Sequence, residues 1–324
     1  MKLRHLAAPL LIPLAMAGAG SAAAADNYPS RPLRLLVGFP PGGGTDVLAR
    51  ALAVDLGKAI GQTVVVENRG GANGVIATAE LAKAEPDGYT LMMTISSHVT
   101  NSLLYPKLPY DTFKDFAPIS LVATSPFVLV AHPSFQANTV QELVAMAKAK
   151  PGFYNYASPG NGSTQHLSLA LMNLMANIDM VHVAYKGGSP ALNDLIAGQV
   201  PLMFVTTVQS LPFLQQHRLK ALAVSSDKRA SVLPDVPTIA ESGVPGYASD
   251  VWFGVIAPAA TPKPVIDKLN KEIVKIFKTP EMKQKLATQG AEPIASTPEA
   301  FAKVINDESV KFADLFKKTG IKAE

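Results

Sequence analysis

The sequence predicts an α/β protein of two domains built on open, mostly parallel sheets, and three observations carry that expectation. Short β-rich runs alternate with amphipathic helical patterns. Most of those runs are apolar on both faces. Four of the strand-to-helix junctions are rich in glycine. Alternation of this kind marks parallel sheets, and strands with two apolar faces need helices on both sides. The chain, at 324 residues, is long enough for two domains.

In chain order the candidate strands are 33–39, 64–67, 90–96, 127–131, 154–158, 181–185, 200–205, 219–225 and 252–257. Helices fill the gaps. Thr139 and Glu142 form a capping box ahead of Leu143, Met146 and Ala147. Ser189 and Pro190 open a helix that Gly198 closes. Val265, Ile266, Leu269, Ile273, Ile276 and Phe277 recur at helical spacing, with Lys and Glu on the opposite face. No long linker separates the domains, so the chain is expected to cross between them more than once, around 123–127 and 224–228. The expected division is residues 26–124 with 226–324 in one domain and 125–225 in the other.

The first residues set the compartment. Lys2, Arg4 and His5 make a basic start, an apolar stretch runs over residues 6–17, and small residues end at Ala23, Ala24 and Ala25. That order is a secretory signal, residues 1–25, and its apolar run is shorter than the ~20 residues a membrane span needs. There is no cysteine, so neither a disulfide framework nor a lipid anchor is available. The mature chain is expected free in the periplasm. The formal charge is +4, and +2 without Lys2 and Arg4. This is too weak a balance to imply nucleic acid as a partner.

The segment 39–46, Phe-Pro-Pro-Gly-Gly-Gly-Thr-Asp, follows a strand and opens a helix. Glycines expose backbone N–H groups, Thr45 is placed to cap the helix, and the positive end of the helix dipole then faces the loop. Such a loop binds anions through amides, at the strand ends where open α/β sheets hold ligands. It is not a nucleotide loop, because Gly44 is followed by Thr45 and Asp46 rather than Lys and Ser or Thr. Three further glycine-rich turns lie at 68–74, 158–164 and 185–190. Each alone reads as a turn; four, two in each expected domain, can converge on one polar ligand.

Catalytic chemistry finds little support. Ser163 and His166 share a helical face, and Ser158 is nearby, but Gly-x-Ser-x-Gly and an orienting acid are missing. A secreted serine hydrolase is therefore disfavoured, and no enzymatic activity is expected. Histidines 98, 132, 166, 182 and 217 contain no pair at metal-ligand spacing, so no metal and no cofactor is expected. Lys186 is a cation inside a candidate loop.

The motifs at 39–46 and Glu67-Asn-Arg-Gly-Gly-Ala72 resemble the tripartite tricarboxylate transporter substrate-binding family, the Bug-type receptors. The resemblance continues through Leu108-Pro-Tyr-Asp111, Tyr156-Ala-Ser-Pro-Gly160, Tyr185-Lys-Gly187, Leu233-Pro-Asp-Val-Pro-Thr238 and Trp252-Phe-Gly254, and it covers the whole mature chain. It implies two Rossmann-like domains joined by a hinge, in the type II periplasmic binding protein architecture. It implies a monomer that binds a small carboxylate, a di- or tricarboxylate or an aromatic acid, and delivers it to integral membrane transporter subunits. A sensor for a two-component system would share the same features. Carried onto matching positions, the first-domain contacts would be Phe39, Gly42, Gly43, Gly44 and Thr45, with Ala72, Asn73 and Gly74. Those of the second domain would be Ser158, Gly162, Ser163, Thr164 and His166, with Tyr185, Lys186 and Gly187 closing the mouth, and Ser96 near the hinge. An Asp that the family often carries in the strand at 200–205 is replaced here by Pro201 or Val205, which turns the expectation away from ligands bearing an amine.

Overall fold

The computed structural model describes residues 28–288 and 290–319; the expected export signal lies outside the described residues. One continuous sheet runs through the molecule in two halves. In the first half β1 (Leu33–Val37) lies between β2 (Val64–Asn68) and β3 (Thr90–Ile95), all parallel. β3 then pairs antiparallel with β9 (Asp250–Pro258). In the second half β5 (Asn155–Ser158) lies between the parallel strands β6 (Val181–Ala184) and β7 (Leu202–Thr206).

The strand β4 (Phe116–Ala131) joins the halves. Its residues 116–126 pair with β9, and residues 127–131 pair with β7 on one side and β8 (Lys220–Val224) on the other, all antiparallel. A two-residue strand, β10 (Glu292–Pro293), adds to β4. The antiparallel pairings correct the expectation of a mostly parallel sheet. A chain that returns across the join has to run β9 back along β4. The second crossing falls between Ser225 and Asp250: the Phe127 N–H donates to Ser225 Oγ at 2.8 Å, and the Ser249 N–H to the Ser225 carbonyl at 2.9 Å.

Helices cover both faces. They are α1 (Gly44–Ile60), α2 (Val75–Ala82), α3 (Ser97–Leu104), α4 (Val140–Ala149), α5 (Thr164–Ala176), α6 (Gly188–Ile196), α7 (Thr207–Gln215), α8 (Lys263–Lys278), α9 (Pro280–Thr288) and α10 (Pro298–Thr319). The six periodic residues of α8 are all buried, each stabilising the fold by about 1.5–3 kcal/mol if fully removed from water. Thr139 Oγ1 accepts the Glu142 N–H at 3.1 Å, and Glu142 Oε2 accepts the Asn138 N–H at 2.7 Å. The box therefore reaches one residue further back than the reciprocal pattern. Helix α10 spans the join, with Phe312 and Leu315 packed against Leu167 of α5 and Leu103 of α3. Among the described residues no helix is long and apolar enough to cross a membrane.

Candidate functional site

Two connected cavities lie where the halves face each other. The outer one, about 720 Å³, is walled by Phe39, Pro40 and Pro41 from the end of β1, by Gly71, Ala72 and Asn73, and by Tyr105. Pro159, Gly160 and Asn161 line it from the opposite half, as do Tyr185, Lys186 and Gly187. The inner one, about 50 Å³, shares Phe39, Pro40, Asn73 and Pro159 with it. Its size suits a carboxylate group or roughly three to four waters.

Four helix starts meet at the inner cavity: Gly43, Gly44 and Thr45 of α1, Gln165 of α5, Gly188 and Ser189 of α6, and Thr206 and Gln209 at α7. The first bond of α1 runs from the Val47 N–H to the Gly43 carbonyl at 3.0 Å. The N–H groups of Gly44 and Thr45 thus precede the helical ladder and have no partner within it. In α5 the ladder starts from the Leu167 N–H to the Ser163 carbonyl at 3.0 Å, which leaves the Thr164 and Gln165 N–H groups in the same position. Thr206 Oγ1 is buried and has no hydrogen-bond partner among the described residues. Partial positive charge from four helix ends, amides without helical partners and an orphan hydroxyl make a receptor for an anion. No Asp or Glu lines either cavity among the described residues, and Lys186 is the sole charged side chain that does.

The halves touch around this space. The Gly162 carbonyl accepts from Thr100 Oγ1 at 3.2 Å and from Asn73 Nδ2 at 3.2 Å, both in the first half. Asn73 Nδ2 also donates to Asn101 Oδ1 at 2.9 Å, and Asn101 Nδ2 returns a bond to the Asn73 carbonyl at 3.0 Å.

The profile of the tripartite tricarboxylate transporter family receptor matches residues 48–321. The chain belongs to this receptor family. The receptor is 38% identical to the protein BugT of Bordetella pertussis, over 99% of each chain. It superposes on the R. palustris protein Rpa4515 with adipate at a TM-score of 0.89, with 35% identity, covering 92% of this chain and 100% of that one. MatC of Rhodopseudomonas palustris with bound malate gives 0.83, with 32% identity over 89% and 99%. The fold is the α/β fold of periplasmic binding proteins.

Of the residues singled out in the sequence, Phe39, Gly43, Gly44, Thr45, Ala72 and Asn73 line the cavities of the receptor, as do Tyr185, Lys186 and Gly187. Gly42, which is exposed, and Gly74, which is buried, are not among the lining residues. The Gly42 N–H is held by Asp46 Oδ2 at 2.9 Å, and Thr78 Oγ1 donates to the Gly74 carbonyl at 3.0 Å. Thr45 does not cap α1: the cap position is Gly43, without a side-chain bond, and Thr45 falls in the first turn.

Asp46 organises this loop from inside the helix, accepting Asn68 Nδ2 at 2.9 Å and Arg50 Nε at 3.0 Å besides the Gly42 amide. Burial raises its pKa, but the bonds from Arg50, Gly42 and Asn68 together outweigh burial and hold the carboxyl below its usual value.

In the second half Ser163 caps α5, accepting the His166 N–H at 3.3 Å. Gly162, Ser163, Thr164 and His166 are buried next to the lining rather than in it. Ser158 is fully buried; its hydroxyl donates to the Gly160 carbonyl at 3.0 Å and accepts the Gly160 N–H at 3.1 Å. It holds a turn and offers no exposed nucleophile. Ser96 is fully buried and not itself in the lining, next to the lining residue Ile95, with its Oγ receiving the Trp252 N–H. Tyr185 donates to Asp194 Oδ2 at 2.8 Å, and burial together with that carboxylate pushes its phenol up to about 12. The lining residues Thr206, Gln209, Gln165 and Tyr105 carry no sequence motif. Thr206 stands at a strand-to-helix junction, as the four glycine turns do, but no glycine marks it.

Proposed function

We propose that this receptor works in the periplasm, closes its two halves over a small carboxylate without an amine, and passes it to integral membrane transporter subunits. The observation that carries the reading is the meeting of four helix starts at a cavity of about 50 Å³, a place matched to one carboxylate group. The remainder of the ligand extends into the outer cavity, among Phe39, Pro40, Tyr105 and Pro159. Absence of an acidic side chain from the lining leaves an ammonium group unpaired, which disfavours amino acids. Adipate and malate, named with the relatives, are the natural probes.

Closure pivots on the two crossings, near Pro126 and between Ser225 and Asp250. The ligand selects the shut state because only there do both halves bond to it. Calorimetry with adipate, malate, aspartate and glutamate tests the reading. At least one amine-free acid binds with Kd in the micromolar range, about −8 kcal/mol, and small-angle scattering shows compaction on binding. Tight binding confined to aspartate or glutamate overturns it.

A further inference from the structure

His182 touches neither cavity, yet it stands one side chain behind the second-half loop that does. It lies on β6, which among the described residues pairs with β5 alone. Its Nε2 is 2.6 Å from Ser158 Oγ, the same hydroxyl that closes on the Gly160 backbone in both directions. Its ring stacks on His166, with centroids 3.7 Å apart and planes 9° from parallel, over Tyr156 at 5.3 Å. His166 in turn uses Nδ1 to accept the Gly162 N–H at 3.0 Å. One imidazole therefore fixes the start of the loop at Ser158, the other fixes its end at Gly162, and the stack ties the two together. Between these anchors lie Pro159, Gly160 and Asn161, which wall the outer cavity. Beyond them the Gly162 carbonyl receives Thr100 and Asn73 from the opposite half.

An imidazole that accepts from an amide at Nδ1 is neutral, with its proton on Nε2. Two charged rings at this separation would repel, and burial disfavours charge on either. The groups facing His182 are His166 from α5 and Tyr156 and Ser158 from β5. The pair is thus a neutral brace, and a serine–histidine contact with a fully buried hydroxyl is not a nucleophile in waiting.

We propose that His182 is a positioning residue of the binding site: through Ser158 and the His166 stack it holds the Ser158–Gly162 loop in the shape that presents Pro159–Asn161 to the ligand and Gly162 to the opposite half. The affinity arm of its test rests on the carboxylate reading above; the exchange arm does not.

The full mature chain is compared with His182→Ala, His182→Gln and His182→Phe. Gln keeps a donor near the Nε2 position, and Phe keeps a ring without the bond. Amide hydrogen exchange over residues 158–163, adipate calorimetry and thermal unfolding are read for each. Loss of one anchoring bond corresponds to about a tenfold change. His182→Ala is expected to speed loop exchange about tenfold and to weaken adipate by a similar factor, with exchange in β1 and β3 unchanged, while Gln restores both to within about threefold. If Ala does not fold, Phe against Gln carries the same contrast, with Phe loosening the loop. Loop exchange equal to wild type in Ala or Phe, or Gln no better than Ala, overturns the proposal. A wild-type chain that binds none of the acids sinks the carboxylate reading, and the exchange arm still decides the role of His182.

Discussion

Two of the four glycine turns at the cavities occupy equivalent places, each leading from the end of a central strand into a helix, yet they are pinned by opposite chemistry. The turn at 38–46 is held by an ionised side chain. Asp46 gathers the Gly42 amide, Asn68 and Arg50 around one buried carboxylate. The turn at 158–166 is held by neutral groups, the Ser158 hydroxyl and the stacked rings of His166 and His182. A carboxylate in the first turn of an anion-receiving helix is tolerable because its charge is spent on its own donors. The second turn avoids charge altogether. Loops with one function therefore differ in what breaks them, and that difference can be measured.

The largest expected effect is in the first turn. Asp46→Ala leaves an amide, a carboxamide and a guanidinium without their shared acceptor, and removal of a buried partner costs about 2–3 kcal/mol. Arg50 is half exposed and rehydrates, which keeps the figure below that of a fully buried pair. Urea unfolding reads the loss, and adipate affinity falls with it because the Gly44 and Thr45 amides lose their frame. A loss below about 0.5 kcal/mol, the range of an ordinary surface change, would mean that the loop does not depend on this carboxylate.

Next is Gly162→Ala, at about 2 kcal/mol. Its φ is +69°, and an added Cβ would lie 1.9 Å from Leu104 Cδ2. Adding Leu104→Ala removes the collision but leaves the backbone strain, so the double variant recovers part of the Gly162→Ala loss in a thermodynamic cycle. Strict additivity of the two changes would contradict the contact.

Acid separates the two turns most directly. Burial, aided for His166 by the neighbouring His182, lowers the two imidazoles to about 3 and about 4, from an ordinary 6.5. As pH falls below 6.5 the unfolded chain takes up protons that the folded chain refuses. Their contribution is whole above about pH 6.5 and drains away as pH falls toward 4 and 3. Down to pH 4.5 the loss is about 2 kcal/mol for the buried His166 and about 1 kcal/mol for the partly exposed His182. Asp46, held below 3.8, keeps its charge through most of that window. Two buried carboxyls act with the opposite sign, Asp250 raised to about 6 and Glu308 to about 7, so the loss between pH 6.5 and 4.5 is read as the difference between wild type and His182→Gln, with exchange protection failing at 158–163 before 40–46. His98, buried beside Phe116 and lowered to about 4, acts with the same sign as the two rings, and the same difference isolates the brace from it. Earlier loosening of the first turn would invert the comparison.

Much of this was legible in the sequence. Strands with two apolar faces and helices with one apolar stripe report burial directly, and glycine turns at their junctions report where the backbone lines the cleft. The long β4 escaped because its first half, 116–126, carries Pro118 and Pro126 and pairs through register shifts, so no alternation survives. Gln165, Gln209 and Thr206 escaped because a polar residue that faces a cavity has no period of its own. His182 sits on an edge strand whose neighbour His166 is sixteen positions away; only the packing of α5 against β5 and β6 makes them a pair. Thr45 looked like a cap because Thr is a common one, but with Asp46 already bonded to Gly42 the cap falls on Gly43 and the helix begins two residues early.

The smallest effect sharpens the contrast most. Gly42 has φ +81°, like its counterpart Gly162, but an added Cβ would meet nothing within 4 Å. Gly42→Ala therefore carries only the left-handed backbone penalty, about 1 kcal/mol. Its N–H is committed to Asp46 Oδ2 at 2.9 Å and so is not free to donate to a ligand. Adipate affinity should stay within about threefold of wild type, less than the ~1.4 kcal/mol that separates tenfold steps. If the variant stays folded yet loses binding, the outer glycine of this turn touches the ligand after all, and Asp46 competes with the ligand for an amide instead of holding it in place.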